Sequence, residues 1–76
     1  MKKLSELKIG QSGKISSFVN DEIFIKLMDM GCVPGETVKV EQIAPLGDPI
    51  SIFIAGYSLS LRLNEADSIL IDDINI

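Results

Sequence analysis

The sequence predicts a small, mainly β domain, in which five short antiparallel strands close into a small barrel or a strongly bent sheet with one inserted α-helix. Three observations lead to this fold class. The chain has 76 residues, enough for one core and hence for one domain over residues 1–76. Twelve residues are Ile and four are Val, and β-branched side chains favour extended backbone. The six Gly and three Pro fall between patterned segments, where they mark turns.

The N-terminal part predicts one helical turn, one strand and one helix. Residues 4–7 carry leucines three positions apart in a segment too short for an independent helix, which indicates a single turn. Lys14–Val19 alternates unevenly, so we expect a first strand with a bulge. Asp21–Met30 predicts a helix of about three turns, because Asn20 and Asp21 are both good N-caps and Gly31 suits the left-handed position after the last turn.

The predicted helix has an apolar side and a polar side, with one exception. At 100° per residue, Ile25 falls among the polar residues, although nothing in the helical period calls for an apolar side chain there. Ile25 is therefore a candidate partner contact. The apolar side consists of Ile23, Phe24, Leu27, Met28 and Met30.

The rest of the chain predicts four further strands separated by turns. A Pro-Gly pair at 34–35 indicates a type II turn, and Ala55-Gly56 indicates a tight reversal between two strands. A six-residue loop, Ala44–Pro49, joins two strands, and Asn64–Ala66 reads as a capped single helical turn. The four strands are centred on Val38–Val40, Ile50–Ile54, Tyr57–Leu61 and Ile69–Ile71.

Composition and charge argue against several classes of function. The net charge is −4 and the seven basic residues are scattered, so a nucleic-acid partner is disfavoured. The chain has no histidine and no motif of a nucleophilic or phosphate-binding site, so we do not expect an enzyme. A lone cysteine suits the reducing cytoplasm. No apolar run approaches the ~18 residues of a membrane span, and no export signal is expected.

Two groups of residues could be interpreted as metal ligands. We nevertheless expect neither a metal site nor a cofactor. Met28, Met30 and Cys32 form a run of soft ligands, but they lie on or beside the apolar side of the predicted helix, which favours core packing. Asp72 and Asp73 are adjacent carboxylates near the C-terminal end, where such pairs are usually solvated.

Four residues are our candidate partner contacts: Ile25, Lys26, Leu46 and Arg62. Leu46 is at the tip of the predicted loop, where an apolar side chain gains nothing from solvent. Arg62 has two interpretations, a local ion pair with Glu65 or an anchor for a partner's carboxylate, since the guanidinium recognises carboxylates well.

Three motifs, taken in order and spacing, resemble the FeoA family. They are Met30–Gly35 (MGCVPG), Ala44–Ile50 (APLGDPI) and Leu61–Ala66 (LRLNEA). The resemblance extends from about Leu4 to Ile71 and implies an SH3-like barrel with a role in bacterial ferrous iron uptake. One departure is that the family usually has two basic residues where this chain has Ile25 and Lys26.

The resemblance implies a cytoplasmic accessory protein that docks on the cytoplasmic part of FeoB, a G-protein-linked ferrous iron permease, and regulates it. On this hypothesis the four candidate residues contact the transporter, and a weak homo-oligomer through the same residues stays open. The alternative is a transition-metal-binding or metal-sensing small barrel module, since a similar domain ends some metal-dependent repressors.

Overall fold

The structure is a computed structural model that describes residues 1–19 and 21–75. Within these residues the chain forms six strands, two α-helices and a 3₁₀ turn at Leu4–Glu6. The helices are α1 (Asp21–Asp29) and α2 (Leu63–Ala66). The strands are β1 (Lys2–Lys3), β2 (Ser12–Phe18), β3 (Thr37–Ile43), β4 (Ile50–Ile54), β5 (Tyr57–Leu61) and β6 (Ile69–Asn75).

All strand pairs are antiparallel, and the spatial order is β1-β6-β2-β3-β4-β5. The predicted fold class, mainly β with one helix inserted after the first long strand, is confirmed. The sixth strand is the two-residue β1, which pairs through Lys2 opposite Ile71. No ladder joins β1 to β5 among the described residues, yet the extents of 28 × 24 × 23 Å are nearly equal. A flat sheet of six strands would be much thinner than it is wide, so this sheet curls around its core.

The predicted irregularity in the first strand is present. The register between β2 and β6 shifts between Ser12 and Lys14 and again between Ile15 and Ser17. Gly13 lies at the first shift, where a Cβ atom would stand 2.4 Å from the Ile71 side chain and 2.8 Å from the Asp72 carbonyl oxygen. Glycine is therefore required for the close approach of β2 and β6.

The core is built from alternate residues of the strands. On β3, Val38 and Val40 are buried while Lys39 between them is exposed, and the three isoleucines of β4 at 50, 52 and 54 are also buried. This alternation is the one that the sequence predicts. The other fully or nearly fully buried apolar residues are Leu4, Leu7, Ile15, Leu27, Cys32, Leu61, Ala66, Ile69 and Ile71.

Helix α1 ends in the manner predicted for Gly31. The Cys32 N–H donates to the Leu27 carbonyl oxygen at 2.9 Å, and the Gly31 N–H donates to that of Met28 at 3.1 Å. Gly31 has φ of 100°, so these contacts form a Schellman motif, in which Cys32 and Leu27 are both buried. The helix is one residue shorter than predicted, and the predicted cap Asn20 lies outside the described residues.

The predicted phase of α1 is correct, but its buried face is narrower than predicted. Leu27 is fully buried and Ile25 is 69% exposed. Phe24, on the predicted apolar side, is partly exposed and packs edge-on against Phe18, with ring centroids 5.0 Å apart. Neither helix has the length and apolar character needed to cross a bilayer, within the part of the chain that the structure describes.

Candidate docking surface

The four candidate residues are all exposed, and they lie on three separate segments. Ile25 and Lys26 are in α1, Leu46 is in the loop between β3 and β4, and Arg62 immediately precedes α2. Leu46 is 96% exposed, more than any other large apolar residue described. We refer to Ile25, Lys26, Leu46 and Arg62 together as the docking strip.

Glu65 connects the helical part of the docking strip to Arg62. Its Oε2 atom is 2.8 Å from the Lys26 Nζ atom, and its Oε1 atom accepts the backbone N–H of Arg62 at 2.8 Å. The Glu65 side chain is only 7% exposed. A buried carboxylate therefore ties α1 to the start of α2 and uses both of its oxygens to do so.

The environment of Glu65 favours its charged form. Burial acts to raise the pKa of this carboxyl, but the hydrogen bonds from Lys26 and the Arg62 N–H, together with the positive charges of both residues, outweigh burial and lower it. Glu65 is therefore ionised at neutral pH, as the ion pair requires.

The predicted local ion pair between Arg62 and Glu65 is wrong. Glu65 pairs with Lys26 instead, and the contribution of Arg62 is its backbone N–H rather than its guanidinium. The Arg62 Nη1 atom lies 4.0 Å from the Asp48 Oδ1 atom, at the limit of an ion pair, and both side chains are substantially exposed. The arginine is thus only loosely engaged within the chain.

Asp48 connects the loop carrying Leu46 to α2. The same Oδ1 atom that faces Arg62 accepts the backbone N–H of Leu63, the first residue of α2, at 3.0 Å. This N–H has no partner within its own helix, because the first turn of an α-helix leaves its amides unbonded. Asp48 supplies the partner from a distant part of the sequence.

The loop Ala44–Pro49 has its own internal hydrogen bonds. The Gly47 N–H donates to the Ala44 carbonyl oxygen at 2.7 Å, and the Ala44 N–H donates to that of Pro49 at 3.1 Å. Gly47 has φ of 85°, a conformation that glycine adopts without strain. These contacts give the loop a defined shape with Leu46 at its tip.

Together, Glu65 and Asp48 link the three segments that carry the candidate residues. Contacts run from Lys26 to Glu65, from Glu65 to Arg62, and from Arg62 to Asp48, two residues from Leu46. The sequence identifies the exposed members of this arrangement but not the two carboxylates that assemble it. The sequence presents Glu65 as part of a capped turn and as a possible partner of Arg62, and Asp48 as a turn residue before proline, but neither as a link between segments.

The three soft ligands Met28, Met30 and Cys32 differ in how deeply they are buried. Cys32 is fully buried, while Met28 and Met30 are partly buried. Burial, with a smaller effect of the Glu65 charge, raises the pKa of the Cys32 thiol to about 11, so the thiol is protonated at neutral pH. No group of three or more Cys, Asp or Glu side chains within residues 1–19 and 21–75 is arranged to hold a metal ion.

Ile9 is one of several exposed apolar residues outside the docking strip. Ile9 is 61% exposed and lines two open clefts on the outer surface of β3, one bordered by Pro45 and the other by Phe53. It lies in the irregular segment before β2, where no periodic pattern distinguishes an exposed residue from a buried one.

The family model of the FeoA domain matches residues 2–73 of the chain. A curated relative is a fusion of Fe(2+) transport protein A with the Fe(2+) transporter FeoB from Porphyromonas gingivalis. It is 38% identical over 71 residues, which cover 92% of this chain but only 8% of the fusion protein. The chain therefore corresponds to a small part of that relative.

Two solved structures show the same fold. A FeoA-like protein from Clostridium acetobutylicum has a TM-score of 0.83 and 40% identity, over 93% of this chain and 84% of that protein. FeoA from Stenotrophomonas maltophilia, described as a prokaryotic SH3 domain protein in complex with zinc, has a TM-score of 0.82 and 28% identity, over 99% and 96% of the two chains. The SH3-like architecture implied by the motifs is confirmed.

Proposed function

Because the chain belongs to the FeoA family, we propose that it is a cytoplasmic accessory domain that binds a FeoB-type ferrous iron transporter and changes its activity without catalysing a reaction itself. Linkage to ferrous iron transport follows from the family. The physical partner, the cellular compartment and the regulatory effect are our proposal.

The fusion in P. gingivalis supports a direct contact between the two proteins. When two domains share one polypeptide, each experiences the other at an effective concentration in the millimolar range for a short flexible linker. Fusion is therefore of use to domains that act on each other. A domain of this family that acts on the transporter needs a surface that contacts it.

The observation that carries the proposal is the assembly of the docking strip from three segments of the chain. Two exposed apolar residues, Ile25 and Leu46, and two exposed cations, Lys26 and Arg62, lie on segments that Glu65 and Asp48 link to one another. Interfaces concentrate their binding energy in a few apolar or arginine anchors surrounded by polar contacts. The docking strip has this composition.

Each part of the docking strip has a role in the proposed complex. Burying an exposed Leu or Ile side chain in a partner contributes roughly 1.5–3 kcal/mol, and Leu46 and Ile25 are the residues available for this. Arg62, held only loosely by Asp48, is free to form a closer pair with a carboxylate of the transporter. Lys26 is already paired with Glu65, so we expect its contribution to be smaller.

The proposal is tested by titrating the purified chain into a FeoB-type transporter solubilised in detergent, with empty micelles as the control. We expect saturable binding to the transporter and none to the micelles. Absence of binding at ~100 μM chain would refute the proposal, since a binding free energy weaker than about 5.5 kcal/mol is too low for a dedicated partner.

A second candidate function, metal binding by the chain itself, has one observation in its favour, the zinc complex of the S. maltophilia relative. Anaerobic calorimetry with Fe²⁺ and with Zn²⁺ separates the two functions. Micromolar binding that is lost in Cys32→Ser would favour the metal-binding module, whereas we expect no heat beyond weak carboxylate association.

A further inference from the structure

The loop that carries Leu46 is restrained by hydrogen bonds within the loop and by contacts with other parts of the chain. Its internal hydrogen bonds, from Gly47 to Ala44 and from Ala44 to Pro49, fix the shape of the loop. The β3–β4 ladder holds both ends of the loop, with Ile43 opposite Ile50, and a further restraint comes from contacts between the loop and α2. A tip residue that is 96% exposed has no packing of its own to hold it, so its position depends on contacts made elsewhere in the loop.

Those contacts converge on one atom. Of the described hydrogen bonds and ion pairs, two join the loop to the segment around α2, and both end at Asp48 Oδ1. The hydrogen bond from the Leu63 N–H at 3.0 Å has good length, whereas the contact with Arg62 at 4.0 Å is loose. The Leu63 hydrogen bond is therefore the stronger of the two links between the loop and the segment around α2.

We infer that Asp48 is a positioning residue, which restrains the loop that carries Leu46 relative to α2 before any partner binds. The inference rests on the proposed function of the docking strip. Asp48 has no need to touch the transporter, because its effect is to remove the ordering cost of the loop in advance. Ordering a side chain or loop at an interface otherwise weakens binding, and preorganisation recovers that loss.

A double-mutant cycle distinguishes positioning from a direct contact or a general loss of structure. The variants are Asp48→Ala, Leu46→Ala and the double variant, each titrated against the FeoB-type transporter in detergent. We expect Asp48→Ala alone to weaken binding about 3- to 10-fold. In the Leu46→Ala background the same substitution should change binding by less than ~2-fold, because there is no longer a side chain to position.

Asp48→Asn is the matched control. It keeps an oxygen that can accept the Leu63 N–H but removes the charge facing Arg62, so we expect binding within ~2-fold of the unmodified chain. A loss as large as that of Asp48→Ala would show that the charge and not the hydrogen bond is responsible. That result would overturn the positioning role, as would additive effects in the double-mutant cycle.

A measurement on the chain alone keeps the inference testable if the transporter is not the partner. Backbone ¹⁵N relaxation should show a rigid amide at Leu46 in the unmodified chain, with an order parameter near 0.85, falling below ~0.6 in Asp48→Ala but not in Asp48→Asn. If the unmodified chain fails to bind transporter and the loop still loosens, the proposed function fails and the positioning role stands. If Leu46 keeps its order parameter in Asp48→Ala, the positioning role is refuted whatever the binding result.

Discussion

The docking strip has a helical half, Ile25 and Lys26, and a loop half, Leu46 and Arg62. The two halves are attached to the fold by ion pairs of different kinds. In the helical half, Lys26 and Glu65 are 2.8 Å apart and the carboxylate is 7% exposed. In the loop half, Arg62 and Asp48 are 4.0 Å apart and the carboxylate is 38% exposed. The first pair belongs to the folded framework, while the second is open to solvent and to a competing carboxylate.

This difference predicts that the two carboxylates, Glu65 and Asp48, contribute to different properties of the chain. Removing the buried Glu65 carboxylate leaves the Arg62 N–H and Lys26 without their acceptor, which destabilises the fold. Breaking an exposed pair costs little, because water replaces the lost contact. Substitutions around Glu65 should therefore change the free energy of unfolding, and substitutions around Asp48 should change mainly how Leu46 is presented.

The largest effect is expected at Leu27, the buried residue behind the helical half. Leu27→Ala should lower the free energy of unfolding by about 2–5 kcal/mol, the range for truncations of buried leucines. This loss is a large fraction of the total stability expected of a 76-residue domain. Urea unfolding followed by circular dichroism measures it. A cost below ~1 kcal/mol would mean that α1 is not anchored through Leu27.

The next effect compares the two carboxylates directly. Glu65→Ala should cost about 1–3 kcal/mol, because the Arg62 N–H and Lys26 lose a buried acceptor. Asp48→Ala should cost less than ~1 kcal/mol, because its contacts are exposed. The same urea titrations apply. Equal costs for the two variants would remove the distinction between the halves.

A smaller effect concerns pH. The pKa of Glu65 is lowered from its ordinary value of 4.5 in the folded chain, so the stabilisation from its ionised form is complete above pH 4.5 and is lost as pH falls through the lower folded value. The unfolding free energy should decline through this acid range. Glu65→Gln should be less stable at neutral pH but show a shallower decline, and an unchanged slope would contradict the assignment.

Features of the fold and of the docking strip could be predicted from the sequence where they depend on residues close together in the chain, and not where they depend on contacts between distant residues. Strand alternation, the end of α1 at Gly31 and the exposure of Ile25 are set by neighbours within a few positions, and all three were predicted correctly. The two-residue β1 exists only because β6 lies beside it, so no local pattern could reveal it. Sequence proximity suggested an ion pair between Arg62 and Glu65, whereas in the folded chain this carboxylate pairs with the distant Lys26.

The most direct test of the central claim is the dissociation constant for a FeoB-type transporter, measured for Ile25→Asp and Leu46→Asp. Ile9→Asp is the matched control, because Ile9 is 61% exposed against 69% for Ile25 and is not part of the docking strip. We predict that both docking-strip variants weaken binding by more than ~5-fold with thermal stability nearly unchanged, while Ile9→Asp binds normally. Normal binding by both docking-strip variants would contradict the account.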